Sequence, residues 1–224
     1  MAHKTMVGGT SYSVTGGKSM VSGTSYSVSL GKTKINGTTY DITFKPQLYA
    51  MLYSDGDMVF QYGKTIEEGK TLSKSYKGFA NQDYSFNSSV PWDMQRSKIK
   101  NVSFKNMAVT SIGYWFANCS NLTNVNYNEF DTEKIINMYK AYLNCSRLIG
   151  FPICGNNVTN MYSTYGNCIR LVTPVCGPNV MYMSYTYYNC TNLTNAVCGN
   201  NVKIMDSTYK YCTNITKPEC GPNV

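Results

Sequence analysis

A repeat of about 22 residues fills the second half of the chain, and it limits the possible folds more than any other feature. Successive cysteines are spaced by 26, 23, 22 and 22 residues, at Cys119, Cys145, Cys168, Cys190 and Cys212. An apolar residue follows each of them three positions later, at Leu122, Leu148, Leu171, Leu193 and Ile215. One such unit cannot bury its own apolar side chains, but units stacked in register can. The spacing therefore predicts a solenoid in which both sets form structural ladders.

Other residue types keep the same register. Cys-Gly pairs occur at 154, 176, 198 and 220, and Asn-Val pairs at 157, 179, 201 and 223. A tyrosine follows four residues after each of Met138, Met161, Met183 and Met205. The Met-x-x-x-Tyr spacing fits one helical turn, and glycine permits a tight corner. We therefore expect a short helical segment and a tight corner in each unit.

A period of about 20–29 residues with leucine, asparagine and cysteine columns is typical of leucine-rich repeats. The stretch WFANCSNLTNV…FDTEKIINMYKAYLNCSRL, from Trp115 to Leu148, resembles the BspA-type leucine-rich repeat. The resemblance covers roughly residues 99–224. It implies a right-handed solenoid with short helical or irregular convex segments. The family includes bacterial surface adhesins, protist proteins and phage or prophage products, so it implies a fold rather than one function.

The first 45 residues carry a shorter repeat of 14 residues. Three units align without gaps and begin at Lys4, Lys18 and Lys32. Each indicates a β-hairpin, because Gly8-Gly9, Ser22-Gly23 and Asn36-Gly37 separate short alternating segments. Isolated hairpins are marginally stable in water. Residues 1–45 are therefore predicted to be either an anchoring or oligomerisation module or a small meander attached to the next domain.

Residues 46–111 show no repeat and are predicted to be a β-rich cap that connects the two repeats. Strand candidates at 48–53 and 58–62 flank an Asp55-Gly56 turn. A further strand should place Ile99, Val102 and Phe104 in the core. The predicted solenoid is 112–224, and the whole chain is predicted to be mainly β.

The nine cysteines do not match a metal or disulfide pattern. Their number is odd, the recurrent pairs lie eight residues apart rather than in C-x₂₋₄-C motifs, and the only histidine is His3. We predict free, buried thiols, no metal, no cofactor and no catalytic residue. Lacking a catalytic motif, the chain is predicted not to be an enzyme. The acidic residues Glu129, Asp131 and Glu133 are expected to form a solvated corner.

Binding is the predicted activity. The candidate surface consists of the tyrosines outside the Met-x-x-x-Tyr column: Tyr127, Tyr139, Tyr162, Tyr182, Tyr185, Tyr188 and Tyr211. Tyrosine offers a large contact area at low entropic cost, although these rings could instead only fill space on the convex side. The net charge of +8 is scattered, which does not favour nucleic acid. No apolar run of about 18 residues predicts a membrane span.

The N-terminal units, KTMVGGTSYSVTGGK, are also similar to the openings of phage and prophage structural proteins of Gram-positive gut bacteria. Together the resemblances imply a virion protein of the tail, baseplate or head fibre, located in the virion, that attaches to a host-surface protein or glycan through the solenoid. Residues 1–45 would contact other virion proteins or form a homo-oligomer. The alternative is a leucine-rich-repeat adhesin at the bacterial cell surface; a polysaccharide-active enzyme is less favoured. The repeat stops mid-unit at Val224, so we expect a covered end or a longer natural chain.

Overall fold

The computed structural model describes residues 4–7, 10–13, 29–35, 38–43, 47–79, 90–149, 154–173 and 176–219. For the four N-terminal ranges, and for 196–197 and 217–219, only the backbone is described. The chain divides into two compact units, Met1–Lys45 and Pro46–Val224. The second unit holds both the predicted cap and the predicted solenoid.

The first unit contains two antiparallel strand pairs. Strand β1 (Lys4–Val7) pairs with β2 (Thr10–Ser13), and β3 (Ser29–Ile35) pairs with β4 (Thr38–Thr43). Val7 lies opposite Thr10 and Ile35 opposite Thr38, so each connection is the two-residue loop that glycine-containing pairs favour. The predicted first and third hairpins are confirmed. The second hairpin, with its Ser22-Gly23 turn, lies outside the described residues.

The second unit begins with a mixed five-stranded sheet. Its strands are β5 (Leu48–Tyr53), β6 (Asp57–Tyr62), β7 (Leu72–Lys77), β8 (Asn101–Lys105) and β9 (Asn124–Asn126), in the order β7-β5-β6-β8-β9. The predicted hairpin of β5 and β6 is confirmed. β8 is parallel to both β6 and β9. The sheet thus changes from antiparallel to parallel at β6, which provides the first edge onto which a solenoid coil can stack.

An aromatic cluster joins this cap to the first coil. The Phe60 ring lies 5.3 Å from Trp92, 5.1 Å from Trp115 and 5.8 Å from Phe116, measured between ring centroids. Trp92 Nε1 donates a hydrogen bond to the Trp115 carbonyl over 2.8 Å. The predicted core residues Ile99, Val102 and Phe104 are all buried. Cap and solenoid therefore share one hydrophobic core.

Arg96 closes the open end of the coil stack. It lies in a short 3-10 helix (Asp93–Lys98) and is buried. Its guanidinium donates hydrogen bonds to the carbonyls of Tyr114 and Ala117 and pairs with Asp93. Arginine suits this position because its fixed fork of donors can satisfy several carbonyls at once.

Replacement of Arg96 by methionine should destabilise the second unit. The substitution leaves the Ala117 carbonyl without the donor that it has in the native protein, which costs about 1–3 kcal/mol. The free energy of unfolding in urea measures this. The matched variant Lys98→Met removes an exposed cation from the same helix and should change stability by less than about 0.5 kcal/mol. Equal effects of the two variants would contradict the capping role.

Each coil contains an eight-residue turn segment whose backbone bonds to the next coil. The segments are 112–119, 138–145, 161–168, 183–190 and 205–212. In the second segment, the amides of Met138, Lys140, Tyr142 and Asn144 donate to carbonyls of the following coil over 2.8–2.9 Å. Of the intervening amides, that of Tyr139 donates to the Asn137 side chain, and the other three bond back three residues, as from Ala141 to Met138. The predicted helical turn is wrong: each segment is a chain of tight turns, because alternate amides are used between coils rather than within one.

This alternation requires left-handed backbone at two positions of every segment. The third and seventh residues have φ between 51° and 67°, at Tyr114, Asn118, Lys140, Asn144, Ser163, Asn167, Tyr185, Asn189, Ser207 and Tyr211. Asparagine tolerates this conformation better than most residues. Asparagine therefore precedes the cysteine in four of the five segments because the seventh position needs a left-handed backbone.

A second stacked column consists of parallel strands. β10 (Asn195–Val197) pairs in parallel with β11 (Lys217–Glu219). Coil-to-coil hydrogen bonds from Thr123 to Lys100, from Thr194 to Val172 and from Thr216 to Thr194 continue this side. In the described residues the only helices are Asp93–Lys98 and Thr132–Lys134, and no helix there is long and apolar enough to cross a membrane.

The glycines of the Cys-Gly pairs allow close contact between coils. A Cβ at Gly155, Gly177 or Gly199 would lie 2.0, 2.6 or 2.4 Å from a carbonyl oxygen of the preceding coil. None of the three has a left-handed φ. The predicted tight corner is present, because the carbonyl of each of these glycines accepts from the amide three residues on, as from Val180 to Gly177. Glycine is needed there because two backbones meet, and not because the turn requires a left-handed φ.

Substitution of Gly177 by alanine should destabilise the solenoid by about 1–3 kcal/mol, because the added methyl group overlaps the Gly155 carbonyl and forces a backbone shift. Thermal or urea unfolding measures the change. Gly113→Ala is the control, since its nearest neighbour would be 3.4 Å away and no left-handed φ is required; it should be neutral or stabilising by up to about 1 kcal/mol. A neutral Gly177→Ala would contradict the close-contact explanation.

Candidate functional site

The interior of the solenoid is a stack of aromatic rings. Tyr142, Tyr165, Tyr187 and Tyr209 follow one another at centroid distances of 5.6–5.7 Å, with interplanar angles of 2–18°. Phe116 extends the stack at 5.3 Å from Tyr142. These rings belong to the core and are not available to a partner.

Tyr127 also lies in the core, which corrects its assignment to the binding surface. Its side chain is only 6% exposed. The ring stacks at 5.7 Å from Phe104, and its hydroxyl bonds to that of Tyr142. Tyr127 follows β9 directly, and the long first unit folds this ring inward rather than placing it on a turn segment.

The cysteine column links each coil to the one before it. The thiols of Cys145, Cys168, Cys190 and Cys212 donate hydrogen bonds of 2.9–3.2 Å to carbonyls of the preceding turn segment. Buried threonine hydroxyls at Thr164, Thr186 and Thr208 do the same over 2.7–2.9 Å. Cysteine suits its column because it is small, apolar and still a weak donor.

The cysteines are chemically protected. Those in described positions, 119, 145, 154, 168, 176, 190, 198 and 212, are free thiols and buried or half-buried. Burial raises the pKa of Cys119, Cys168 and Cys176 to about 12 and that of Cys154 to about 11. They therefore stay protonated, and unsuited to nucleophilic attack, at neutral pH. In the part of the chain that the structure describes, no cluster of His, Cys, Asp and Glu could hold a metal ion.

These thiols should make the protein sensitive to alkali. The folded-state pKa is raised above the ordinary value of 9.0, so the unfolded chain releases protons first. The free energy of unfolding therefore keeps its full value below about pH 9. Between pH 9 and 12 it falls by roughly 1.4 kcal/mol per pH unit for each protected thiol. Urea unfolding at pH 7.5–10.5 measures the slope. The variant Cys168→Ala should reduce this slope by the contribution of a single thiol. A free energy of unfolding that does not change with pH would contradict the prediction.

A line of asparagines runs along the surface at the seventh position of the turn segments. Asn118, Asn144, Asn167 and Asn189 form this asparagine ladder. Each side-chain Nδ2 donates to the Oδ1 of the preceding asparagine, over 2.6, 2.7 and 3.0 Å. In the fifth coil the position is occupied by Tyr211, which keeps the left-handed backbone. The ladder therefore ends at Asn189.

A second line of side chains, here called the tyrosine ribbon, crosses the turn segments diagonally. It consists of Tyr114, Tyr139, Tyr162, Tyr185, Tyr188 and Tyr211. Neighbouring ring centroids are 5.0–5.8 Å apart. All six side chains are half-buried or exposed, and Tyr211 is 56% exposed. The ribbon is a continuous aromatic surface across all five coils.

The two ends of the ribbon differ in geometry. Tyr139 and Tyr162 stack at 8°, so their faces cover each other. The Lys140 ammonium lies 5.1–5.8 Å from the rings of Tyr114, Tyr139 and Tyr162. By contrast, Tyr185 and Tyr188 meet at 50°, and Tyr188 and Tyr211 at 81°. Ring faces are therefore more open at the C-terminal end, where Lys210 lies 5.2 Å from Tyr211.

The structure thus brings together five of the seven predicted tyrosines. Tyr182 is 43% exposed but lies in a neighbouring column, where it pairs with Asn160 and Ile204. The sequence reasoning missed Tyr114 and Lys140, which occupy left-handed positions. The Asn-Cys column could have indicated the asparagine ladder. The acidic residues Glu129, Asp131 and Glu133 are exposed, and Asp131 caps the helix Thr132–Lys134.

Parallel coils with leucine, cysteine and asparagine columns define the leucine-rich-repeat fold, and the predicted fold class is confirmed. The chain is similar to the crystal structure of a leucine-rich repeat protein from T. pallidum, with 17% identity, 78% of each chain covered and a TM-score of 0.50. It also matches a leucine-rich cell surface protein from Faecalibacterium prausnitzii, with 15% identity, 77% of this chain and 52% of that chain covered, and a TM-score of 0.38. At these identities the likeness shows the fold alone. No protein-family model and no curated protein matches the chain.

Proposed function

We propose that this chain is a recognition module of a bacterial cell-surface adhesin, and that the tyrosine ribbon is its contact surface. The observation that carries the proposal is the continuity of the ribbon over five coils. Surface tyrosines need not align to support the fold, since the buried stack already fills the interior. Aligned, rigid tyrosines are the side chains that dominate recognition surfaces.

The ribbon is pre-organised for binding. Its rings stand on backbone fixed by coil-to-coil hydrogen bonds, such as those of Tyr185 to Asp206 and Asn189 to Lys210. Neighbouring rings also restrict one another. Little conformational entropy would be lost when a partner binds, so a moderate contact area can give useful affinity.

The bacterial surface is the setting that we favour over the virion. The structure that supports this preference is that of a leucine-rich repeat protein from the bacterium T. pallidum, which shares the fold. The virion role and its contacts through residues 1–45 stay predictions. Mass spectrometry of purified cell envelopes and of induced phage particles would separate the two settings.

The test of the ribbon is saturable binding to cells. Fluorescent full-length protein is titrated onto cultured epithelial cells and onto bacterial cells and read by flow cytometry. We expect saturable binding to at least one cell type, weakened about ten-fold or more in the double variant Tyr188→Ala/Tyr211→Ala, because central aromatic contacts are each worth about 1–2 kcal/mol.

The matched control is Ile66→Ala/Met94→Ala, which removes two apolar side chains that are 51% and 87% exposed in the cap. It should bind like the original protein. Circular dichroism and thermal unfolding verify that both variants fold. Lack of saturable binding to any cell type, or equal loss in the control, would refute the proposal.

A further inference from the structure

Two exposed arginines lie at equivalent positions of adjacent coils. Arg147 and Arg170 each follow the cysteine of their coil by two residues, and one coil step is about 4.8 Å. Like charges at neighbouring positions repel each other. Within the described residues, neither guanidinium has an ion-pair or hydrogen-bond partner. No polar contact in the described residues offsets this repulsion, whereas an anionic ligand would relieve it.

The asparagine ladder beside them retains hydrogen-bonding capacity. Asn144 uses one N–H towards Asn118, and its Oδ1 accepts from Asn167. A side-chain amide has two N–H donors and two acceptor lone pairs. The two inner asparagines, Asn144 and Asn167, therefore each keep one donor and one acceptor for a ligand. Such a row suits a polymer with hydroxyl groups on every unit.

At the C-terminal end of the ladder lie two inclined tyrosine rings and a further cation, Lys210. Tyr188 immediately precedes Asn189, and Tyr211 replaces the ladder asparagine in the fifth coil. Because these rings meet edge to face at 81° and Tyr211 is 56% exposed, the two rings do not cover each other's faces as the stacked rings do. The C–H face of a sugar ring packs on such an aromatic face, and the Lys210 ammonium lies beside it.

The charged side chains along this surface are mainly positive. The five turn segments contain two cations, Lys140 and Lys210, and one carboxylate, Asp206; the two arginines follow directly. The acidic residues 129, 131 and 133 precede the second turn segment and are not among these residues. The surface therefore complements an anion.

We propose that an acidic polysaccharide chain binds along the asparagine ladder. Its carboxylates would pair with Arg147, Arg170 and Lys210, its hydroxyls would bond to the ladder amides, and one sugar ring would stack on Tyr188 or Tyr211. An extended peptide fits less well, since side chains on one face repeat every 6.6 Å or so, against about 4.8 Å per coil. This inference rests on the proposed recognition function and names its ligand class.

The test uses the full-length protein and three probes in isothermal titration calorimetry. The probes are oligogalacturonate, the same oligomer as its methyl ester, and poly-L-glutamate of similar length. We expect binding to oligogalacturonate that weakens with added salt, and at least ten-fold weaker binding to both other probes. Equal binding of the ester would overturn the anionic contact. Equal binding of poly-L-glutamate, or no binding of oligogalacturonate, would overturn the polysaccharide assignment.

The variant Arg147→Gln/Arg170→Gln should bind oligogalacturonate about ten-fold more weakly, on an estimate of somewhat under 1 kcal/mol per exposed charge pair. Its thermal stability should be unchanged or higher, because the repulsion is removed. Lys134→Gln/Lys203→Gln removes the same charge from exposed positions away from the ladder and should retain affinity to within about two-fold. Equal losses in the two double variants would overturn the site.

The outcomes also separate this inference from the proposed function. If the tyrosine variants lose cell binding but oligogalacturonate does not bind, the recognition role stands and the ligand class is wrong. If cell binding does not depend on the ribbon tyrosines, the proposed function itself fails.

Discussion

The coil-to-coil hydrogen bonds of the turn segments are the constraint from which the rest of the second unit follows. In the first four segments every other amide bonds to the next coil, and most of the remaining amides bond back three residues. The backbone can alternate in this way only if it enters the left-handed region twice per segment. For residues other than glycine this conformation is unfavourable by about 1 kcal/mol or more. Stacking compensates for this, because each coil satisfies its neighbour.

The side-chain columns can be understood as responses to that stacking. Small donors at the cysteine and threonine positions satisfy carbonyls that face the following coil. Glycine stands where two backbones touch. Asparagine accepts the left-handed φ and links its side chain to the next asparagine. At the first coil, Arg96 donates to the carbonyls of Trp115 and Ala117, which stand where later coils accept from the coil before them.

The same geometry organises the surface. A backbone that repeats at each coil presents its outward side chains in register, so a tyrosine in one coil meets a tyrosine in the next at 5.0–5.8 Å. The line from Tyr139 to Tyr211 is diagonal because tyrosine occupies different positions of the turn segment in different coils. Near-parallel rings at one end and inclined rings at the other give the ribbon two chemically different halves. The inclined half adjoins the ladder and its cations.

The sequence by itself determined the repeat, its core columns and the hairpins at 4–13 and 29–43, because period and alternation depend only on which residues must be buried. It also favoured free thiols, since the number of cysteines is odd and their spacing fits no metal-binding motif. It could not determine the local backbone: a Met-x-x-x-Tyr spacing fits a helix as well as two turns, and only the bonds to the next coil decide between them. Likewise, Tyr127 and Tyr139 look alike in sequence. Tertiary structure buried one and exposed the other, because it alone fixes which side of a coil faces its neighbours.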